Sequence, residues 1–425
     1  MSYTSELIDF IKKSPTAYHT VDTVKEMLIS SGYTECSEKN VDSFSDGGKH
    51  FVIRNGTSLI AFRGKCNGGF MISASHSDTP CFKVKSEMDG TYVKIAVEKY
   101  GGSVLYSWLD RPLSVAGRVV VKNGDDVSSR LVDLDRDLLT VPSVAIHLNR
   151  AVNDGYKFNP AIDMIPLAGG ASSRGKLMAE VASRLGVNEG DIASHDLFLY
   201  NREEGKVFGL SNEFLLAPRL DDLGCVYTSV RAFLDSEGCE NAIPVLAIFD
   251  NEEVGSETKQ GAASTFLDMT LSAIAGDEKR YRAALCDSFM LSADNAHAIH
   301  PNHPELSDGA NAPVLGGGVA VKYNANQRYT TDALSDAIFR SIAEKAGVKV
   351  QNYANRADML GGSTLGSIAN TRVSIRSVDI GIPQLAMHSA IETAAIADIF
   401  DMVAVMNKFY SSAIECSGGE VKIKN

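Results

Sequence analysis

The 425-residue sequence has little of several features that would assign a protein to a class at once. Its seven cysteines form no Cys-x-x-Cys pair and their number is odd, which argues against a disulfide framework and against a cysteine-based zinc site. No run reaches the roughly 18 uninterrupted apolar residues of a membrane-spanning helix. Basic residues are also fewer than acidic ones, 41 Lys and Arg against 53 Asp and Glu. The resulting net charge of −12 disfavours binding to nucleic acid.

The composition and the first residues set the broad class. Residues 1–15 are amphipathic and lack the apolar core of a secretory signal, so we expect a cytoplasmic protein with neither a membrane nor a nucleic acid as its partner. With 44% hydrophobic and 22% charged residues, the chain can bury a large core, which excludes a wholly disordered protein. Its length predicts two or three domains, or one large α/β unit that takes up most of the chain.

Helical and strand-like patterns alternate at both ends of the chain, and the middle of the chain shows a different pattern of predicted secondary structure. Residues 242–249 predict a strand that is buried on both faces. Helical spacing of apolar residues predicts helices over five segments, at residues 5–13, 20–31, 224–234, 331–346 and 392–414. Between these regions, short β-rich runs alternate with turn signals. We therefore predict an α/β domain, residues 1–88 and 214–425, interrupted by a β-rich insertion over residues 89–213.

Acidic residues and histidines follow four apolar segments that predict strands. The segments and their polar residues are 69–75 with His76 and Asp78, 245–249 with Asp250, Glu252 and Glu253, 283–291 with Asp294, and 373–380 with His388. The carboxyl ends of strands in an open α/β sheet are where ligand sites form. One such residue alone is more often a turn residue or a helix cap, at about two to one, whereas four segments together favour a site.

The residue types in these segments fit a particular group of metals. Two imidazoles and several carboxylates, without thiolates, suit Zn²⁺, Co²⁺ or Mn²⁺. His76 and Asp78 lie two residues apart on an extended chain, so both side chains point the same way and the carboxylate can orient the imidazole. Glu252 and Glu253 are adjacent on a segment expected to be extended, so one can bind metal while the other stays free as a base, as metal-assisted hydrolysis requires. The alternative for this pair is a solvated acidic turn.

A further acid pair, Asp221 and Asp222, lies between an apolar segment and a predicted helix. An aspartate that caps the helix is the ordinary interpretation. A capping carboxylate can still offer its other oxygen to a metal ion, so both interpretations stay open.

Five motifs occur in order along the chain and together resemble one protein family. They are SHSDTP at 75–80, APRLDDLG at 217–224, FDNEEVGS at 249–256, SADNAHAIHPN at 292–302 and PQLAMHSAIE at 383–392. The set is similar to the M18 family of metalloaminopeptidases, which are aspartyl-aminopeptidase-like members of the di-zinc exopeptidases. The resemblance implies an α/β catalytic domain with a mixed central sheet flanked by helices, and a dimerisation and lid role for the insertion.

The resemblance also implies a centre with two divalent metal ions in each subunit, with zinc favoured over cobalt or manganese. Asp221 would bridge the two ions. His76 and Asp294 would bind one ion, and Glu253 and His388 would bind the other. Glu252 would serve as general base and acid, and Asp78 would orient His76. Asp222 departs from the asparagine of many relatives and adds negative charge beside the bridge.

Three further residues match family positions that contact substrate. His147 resembles a histidine that reaches the active site of a neighbouring subunit, and a histidine on a strand face is the equally weighted alternative. His297 matches a position at the substrate pocket. Lys322 resembles a lysine that could meet an acidic substrate side chain, although an exposed surface lysine is the more common case.

The function that the resemblance implies is removal of the N-terminal residue from peptides by a metal-dependent aminopeptidase, with a lean towards acidic residues. The implied assembly is a homo-oligomer, a tetrahedral dodecamer built from dimers. Two other functions stay open, a di-metal deacylase or carboxypeptidase with the same site chemistry and a non-catalytic assembly protein. The intact Glu252 and the five ligands argue against the second of these.

Overall fold

Helices and strands alternate along the chain in the computed structural model, which describes residues 2–417 and 420–424. The helices over these residues are α1 (Tyr3–Lys13), α2 (Ala17–Ser30), α3 (Pro160–Asp163), α4 (Lys176–Leu185), α5 (Leu220–Asp235), α6 (Phe266–Ala275), α7 (Glu278–Cys286), α8 (Ala333–Ala346), α9 (Leu365–Ala369) and α10 (Ile396–Tyr410). No helix in the described part of the chain has the length and apolar content needed to cross a membrane.

The strands fall into two groups along the sequence. The strands before α5 are β1 (Thr34–Cys36), β2 (Lys49–Arg54), β3 (Ser58–Arg63), β4 (Gly69–His76), β5 (Cys81–Met88), β6 (Tyr92–Tyr100), β7 (Leu113–Asn123), β8 (Asp126–Asp133), β9 (Leu167–Gly170), β10 (Ile192–Asn201), β11 (Lys206–Phe208) and β12 (Phe214–Ala217). The strands after α5 are β13 (Ala242–Phe249), β14 (Phe289–Ala293), β15 (Ala296–His297), β16 (Val319–Tyr323), β17 (Val350–Ala354), β18 (Arg376–Gly381), β19 (Pro383–Leu385), β20 (Glu392–Ala395), β21 (Ala413–Ser417) and β22 (Glu420–Lys424).

The largest sheet has nine strands in the order β1-β2-β3-β13-β4-β14-β18-β16-β17. Strand β4 pairs in parallel with β13 and β14, whereas the pairs β3–β13 and β16–β18 are antiparallel. Every residue of β4 and β13 is buried, because an apolar cluster with α1, α2, α5, α8 and α10 covers one face and a second cluster with α6, α7 and α9 covers the other. The predicted α/β fold with a mixed central sheet between helices is confirmed.

A second sheet of six antiparallel strands lies between β4 and α5 in the sequence. Its order is β8-β7-β10-β5-β6-β9, and its strands extend from Cys81 to Asn201. It has its own apolar cluster, which includes Phe82 and Trp108. The predicted division of the chain at residues 89 and 213 stays a prediction.

A smaller five-stranded sheet, in the order β11-β12-β20-β19-β15, joins segments that are distant in sequence. Strand β12 runs directly into α5, and β15 follows β14 of the central sheet. The loop between β19 and β20 therefore lies near the start of α5, because β20 pairs with β12.

Local pattern predicted five of the ten helices in the described part of the chain and misplaced two boundaries. Helices α1, α2, α5 and α8 confirm the corresponding predictions. The helix predicted over 392–414 is too long, because Glu392–Ala395 pairs with Phe214–Ala217 and α10 ends at Tyr410. Pairing with a strand far along the chain overrides local periodicity. The strand expected over 283–291 is also wrong in its first half, since α7 continues to Cys286 and β14 begins only at Phe289.

Candidate metal centre

Several elements bring polar side chains to one point at the carboxyl edge of the central sheet. They are His76 at the end of β4, Asp221 at the start of α5, Glu252 and Glu253 after β13, Asp294 after β14, and His388 between β19 and β20. These residues form three overlapping groups, and within each group the metal-ligating atoms lie within 4.8 Å of one another. The structure therefore brings together the residues that the strand ends indicated.

Asp221 lies between the two histidines. Its Oδ1 atom is 3.6 Å from His76 Nε2, and its Oδ2 atom is 3.2 Å from His388 Nε2. Its backbone is not helical, with φ −88° and ψ 106°, and the residue at the cap of α5 is Arg219. The two oxygens of Asp221 therefore face two different imidazoles.

Asp222 and Asp294 add carboxylates on the His76 side. The ligating atoms of these two residues, His76 and Asp221 lie within 4.8 Å of one another. The Oδ2 atom of Asp222 also accepts a hydrogen bond of 3.2 Å from the main-chain N–H of His76. Asp222 thus belongs to the centre, although the family resemblance assigned it no ligand role.

The Glu252–Glu253 pair lies in a short 3₁₀ turn (Glu252–Val254) and not on an extended segment. The left-handed backbone of Asn251, with φ 63°, begins this turn. Successive side chains of a 3₁₀ turn are about 120° apart, so the expectation that the two carboxylates face opposite ways is wrong. The ligating atoms of both glutamates lie within 4.8 Å of His76, and Glu253 Oε1 is 3.4 Å from His388 Nε2.

Asp78 contacts His76 through its main chain as well as its side chain. The Nδ1 atom of His76 lies 3.0 Å from the main-chain oxygen of Asp78 and 3.4 Å from its Oδ1 atom. The carboxylate also accepts the main-chain N–H of Glu252 at 3.1 Å and that of Glu253 at 3.2 Å. Asp78 therefore lies behind the imidazole and at the same time fixes the glutamate turn.

Glu392 is a buried acid that the sequence had not singled out. Its Oε2 atom accepts the main-chain N–H of Asp221 at 3.0 Å, and its Oε1 atom accepts that of His388 at 2.7 Å. One side chain thus joins the backbones of two centre residues. Glu392 closes the fifth motif, but an acid at the start of a predicted helix is ordinary, so the local pattern carried no signal for this role.

Burial and crowding change the acidity of these groups. Burial raises the pKa of Glu252 to about 8; the charge of His76 opposes this rise, and the charges of nearby carboxylates add to it. Burial also raises the pKa of Glu253 well above its ordinary value. Burial lowers the pKa of His388, but its hydrogen bond to Asp221 and the charge of Glu253 raise it to about 10. Burial and mutual repulsion of the carboxylates therefore favour a bound proton or a bound cation at the centre.

Three buried carboxylate oxygens of the centre have no hydrogen-bond partner in the described part of the chain. They are Oδ1 of Asp221, Oδ1 of Asp222 and Oε1 of Glu253. Buried charges are normally paired, hydrogen-bonded or bound to metal. Imidazole and carboxylate donors are ligands that zinc accepts, so the donor set fits divalent cations.

His147 lies in an exposed turn between β8 and β9. The alternative of a histidine on a strand face is therefore wrong. The same turn exposes the apolar side chains of Val144, Ile146 and Leu148, and Leu148 is 84% exposed.

His297 and Lys322 lie on strands beside the ligands. His297 is exposed on β15, and its ring centroid is 5.9 Å from that of Tyr353. Lys322 on β16 is only 3% exposed, and its Nζ atom is 3.5 Å from Oδ2 of Asp294. Burial lowers the pKa of Lys322, but the charge of Asp294 and of other nearby groups holds it above its ordinary value. The alternative of an exposed surface lysine is wrong.

A buried set of imidazoles and carboxylates with spare oxygens, at the carboxyl edge of an α/β sheet, is the arrangement of a metal-dependent hydrolase. The sequence pattern of the family described as Aminopeptidase I zinc metalloprotease (M18) matches residues 10–410. The probable M18 family aminopeptidase 2 of Clostridium novyi (strain NT) is 40% identical over 430 residues, which cover 97% of this chain and 99% of that protein.

Solved structures agree with this match. A chain in the cryo-EM structure of the Ape4 and Nbr1 complex has a TM-score of 0.93 and 34% identity, over 96% of this chain and 85% of that chain. The S. cerevisiae mApe1 dodecamer has a TM-score of 0.84 and 30% identity, over 96% of each chain. The chain belongs to the M18 family and is a zinc metalloaminopeptidase, a hydrolase of peptide bonds. The resemblance carried by the five motifs is confirmed.

Zinc should stabilise the chelator-treated protein against heat. At about 100 times its Kd, one bound ion adds about 2.7 kcal/mol to the free energy of unfolding, so the thermal midpoint should rise by a few degrees. Asp221→Asn should lose most of this rise, because it removes the charge that lies between the two histidines. Differential scanning fluorimetry with and without zinc measures the effect. Asp126→Asn changes an exposed acid on β8 and should keep the wild-type rise, whereas an equal rise in Asp221→Asn contradicts a metal at Asp221.

Proposed function

We propose that this aminopeptidase uses two divalent ions in each subunit, bound at one shared centre, to remove the N-terminal residue from peptides. The observation that carries the proposal is the position of Asp221, whose two oxygens face His76 and His388 separately. A carboxylate in this position can bridge two ions, each of which takes one histidine. Zinc is the favoured metal, and cobalt or manganese are the alternatives.

The remaining ligands divide between the same two sides. Asp294 belongs with His76, because within the described residues its ligating atom groups with that of His76 and not with that of His388. Glu253 belongs with His388, whose Nε2 atom is 3.4 Å from Glu253 Oε1. Divalent ions held by these residues would supply Lewis-acid activation of water and of the scissile carbonyl.

Glu252 is the proposed general base and then the general acid. Its carboxylate lies beside His76 and Glu253, and its main-chain N–H is held by Asp78. In this role it takes a proton from the attacking water and passes it to the leaving amine. Asp78 keeps the Nε2 atom of His76 directed at Asp221, because its carbonyl and carboxylate occupy the Nδ1 side.

Two other functions share parts of this chemistry. A di-metal deacylase or carboxypeptidase would use the same ligand types, but membership of an aminopeptidase family favours the action proposed here. A non-catalytic assembly role does not call for an intact glutamate pair in contact with a complete donor set. We therefore keep the aminopeptidase as the conclusion.

Glu252→Gln should keep its bound metal and lose turnover. We expect kcat to fall by about 10²–10⁴-fold, which is the usual contribution of a general base. Inductively coupled plasma mass spectrometry measures the metal content, and release of p-nitroaniline from aminoacyl substrates measures turnover. Glu257→Gln, an exposed acid in the same loop, is the matched control and should remain near wild type. Near-normal turnover in Glu252→Gln would remove this residue from the mechanism.

We also propose a preference for acidic N-terminal residues, with Lys322 as the recognising group. Its ammonium group is buried beside Asp294. An ion bound to Asp294 would share that carboxylate, which leaves the charge of Lys322 less balanced and available to a substrate carboxylate. His297, exposed on β15, is a second candidate for contact with the same side chain.

Lys322→Met should change specificity more than it changes turnover in general. We expect kcat/KM to fall about tenfold or more for Asp- and Glu-leading substrates, because a charge-assisted hydrogen bond contributes about 1.5–3 kcal/mol, and to fall much less for Leu- and Met-leading ones. Lys349→Met, which changes an exposed lysine, is the matched control. Equal losses for acidic and apolar substrates would contradict the assignment, as would a wild-type enzyme that favours leucine over both acids.

We propose that the chain forms a homo-oligomer, a tetrahedral dodecamer of dimers, in which residues 89–213 serve dimerisation and His147 acts in a neighbouring subunit. The S. cerevisiae mApe1 structure, at 30% identity, is a dodecamer. The turn that holds His147 exposes Val144, Ile146 and Leu148, and clustered exposed apolar side chains mark interaction surfaces.

Mixed oligomers should show whether His147 acts across an interface. Subunits with His147→Ala and subunits with Glu252→Gln should each be nearly inactive alone, and co-expressed oligomers purified through two different tags should recover activity. The recovery arises because the His147→Ala subunit keeps its own Glu252 and takes the histidine from its neighbour. A mixture of Glu252→Gln with Asp221→Asn is the control. It should stay inactive, because each subunit lacks a residue that it must supply to its own metal centre. No recovery in a verified mixed oligomer would contradict the proposal.

A further inference from the structure

The end of strand β6 lies against the metal centre, although β6 belongs to the six-stranded sheet. Three consecutive residues, Tyr100, Gly101 and Gly102, contact residues of the centre. These three residues lie outside the five motifs that identified the family. They connect two sheets that are otherwise built around separate apolar clusters.

The Tyr100 hydroxyl joins Asp78 to the glutamate turn. It donates a hydrogen bond of 2.7 Å to Oδ2 of Asp78, and its oxygen accepts one of 2.8 Å from Nδ2 of Asn251. The directions are fixed, because a carboxylate can only accept and an amide nitrogen can only donate. Burial and the charge of Asp78 raise the pKa of Tyr100, so the hydroxyl stays protonated and remains a donor.

Asp78 passes this contact on to both glutamates. The same carboxylate that accepts from Tyr100 also accepts the main-chain N–H groups of Glu252 and Glu253. Without the tyrosine donor, two N–H groups would hold a carboxylate that has one contact fewer to fix its rotation. A shift of that carboxylate moves the backbone of both glutamates together.

The next two residues contact the side of the centre that holds Glu253 and His388. The main-chain oxygen of Gly102 is 3.1 Å from Nδ1 of His388. Because a carbonyl can only accept, Nδ1 carries a proton and Nε2 is turned towards Asp221. A β-carbon at Gly101 would lie 3.1 Å from Cβ of Glu253, so the absence of a side chain there leaves room for that glutamate.

We infer that Tyr100 is a positioning residue, and that through residues 100–102 the six-stranded sheet holds Glu252, Glu253 and His388 in their working arrangement. The inference rests on the two-ion centre of the proposed function. It makes the six-stranded sheet part of the metal centre in addition to any part that it has in assembly. The hydroxyl and the ring of Tyr100 have separable contacts, because the ring lies edge-on against Phe198 at 5.9 Å, a contact that phenylalanine would keep.

Tyr100→Phe removes only the hydroxyl and is the decisive variant. Metal-free protein is titrated with Zn²⁺ by isothermal titration calorimetry, and turnover is measured on the reconstituted holoenzyme. We expect the affinity for the second ion, held by Glu253 and His388, to fall about 10–100-fold, as it does when groups behind a metal ligand are lost. We expect kcat to fall while KM changes little, and the thermal midpoint of the metal-free protein to stay at the wild-type value.

Tyr92→Phe is the matched control. It removes a hydroxyl from the other end of the same strand, where the side chain is 59% exposed. Its ion affinities and kcat should equal those of the wild type. A comparable loss in Tyr92→Phe would overturn the assignment of the effect to Tyr100.

Asp78→Asn and the double variant test whether Tyr100 acts through Asp78. If it does, adding Tyr100→Phe to Asp78→Asn lowers the affinity for the second ion little further, because the two changes remove one shared interaction. If the fold-losses of affinity in the two single variants multiply in the double variant, Tyr100 does not act through Asp78.

Two outcomes for Tyr100→Phe itself overturn the inference. One is wild-type affinity for both ions together with wild-type kcat. The other is a lower midpoint of the metal-free protein without any loss of ion affinity, which identifies a packing role alone. The wild-type titration separates this inference from the proposed function, since one ion per wild-type subunit contradicts the two-ion centre. In that case kcat and the affinity for the single ion in Tyr100→Phe still decide the positioning role.

Discussion

The concentration of negative charge at the carboxyl edge of the central sheet is the constraint on which the rest of the structure depends. Asp221, Asp222 and Asp294 are buried with ligating atoms within 4.8 Å of one another. Like charges at such distances, away from water, repel strongly unless donors or cations offset them. The surrounding backbone offers N–H groups to Asp78, Asp222 and Glu392, none of which binds an ion in the proposed scheme. The carboxylate oxygens that lack a hydrogen-bond partner among the described residues remain available to bind metal.

The fold meets this constraint by dividing the work between its layers. The central sheet supplies His76, Glu253 and Asp294, because the parallel strands β4, β13 and β14 end at one edge. The five-stranded sheet brings Glu392 to the main chain of Asp221, and the six-stranded sheet brings Tyr100 to Asp78 and Asn251. A cation at the centre converts mutual repulsion into attraction towards one point, so the same charges that oppose folding of the metal-free chain would join these layers in the metal-bound one.

The proposed ligands and Asp78 could be predicted from the sequence, but two other residues that hold the ligands could not. His76 and Asp294 were predictable because residue type and position after an apolar strand are both local properties. Glu392 and Tyr100 were not, since their partners Asp221 and Asn251 lie far along the chain and only contacts between sheets bring them together. The geometry of the glutamate pair was mispredicted because the left-handed backbone of Asn251 turns the chain directly after β13, and a non-glycine residue in that conformation is rarely expected from sequence. The burial of Lys322 likewise depends on packing around β16.

The order of the proposed ligands along the chain bears on the timing of activity. His76 precedes the six-stranded sheet, Asp221 follows it, and His388 comes after every other ligand. A polypeptide still emerging from the ribosome therefore lacks a complete donor set until residue 388 has been synthesised and docked against residues 100–102. In the proposed scheme, a chain that stops before residue 388 lacks a ligand of the second ion, so we expect it to gain peptidase activity only after this residue has been added.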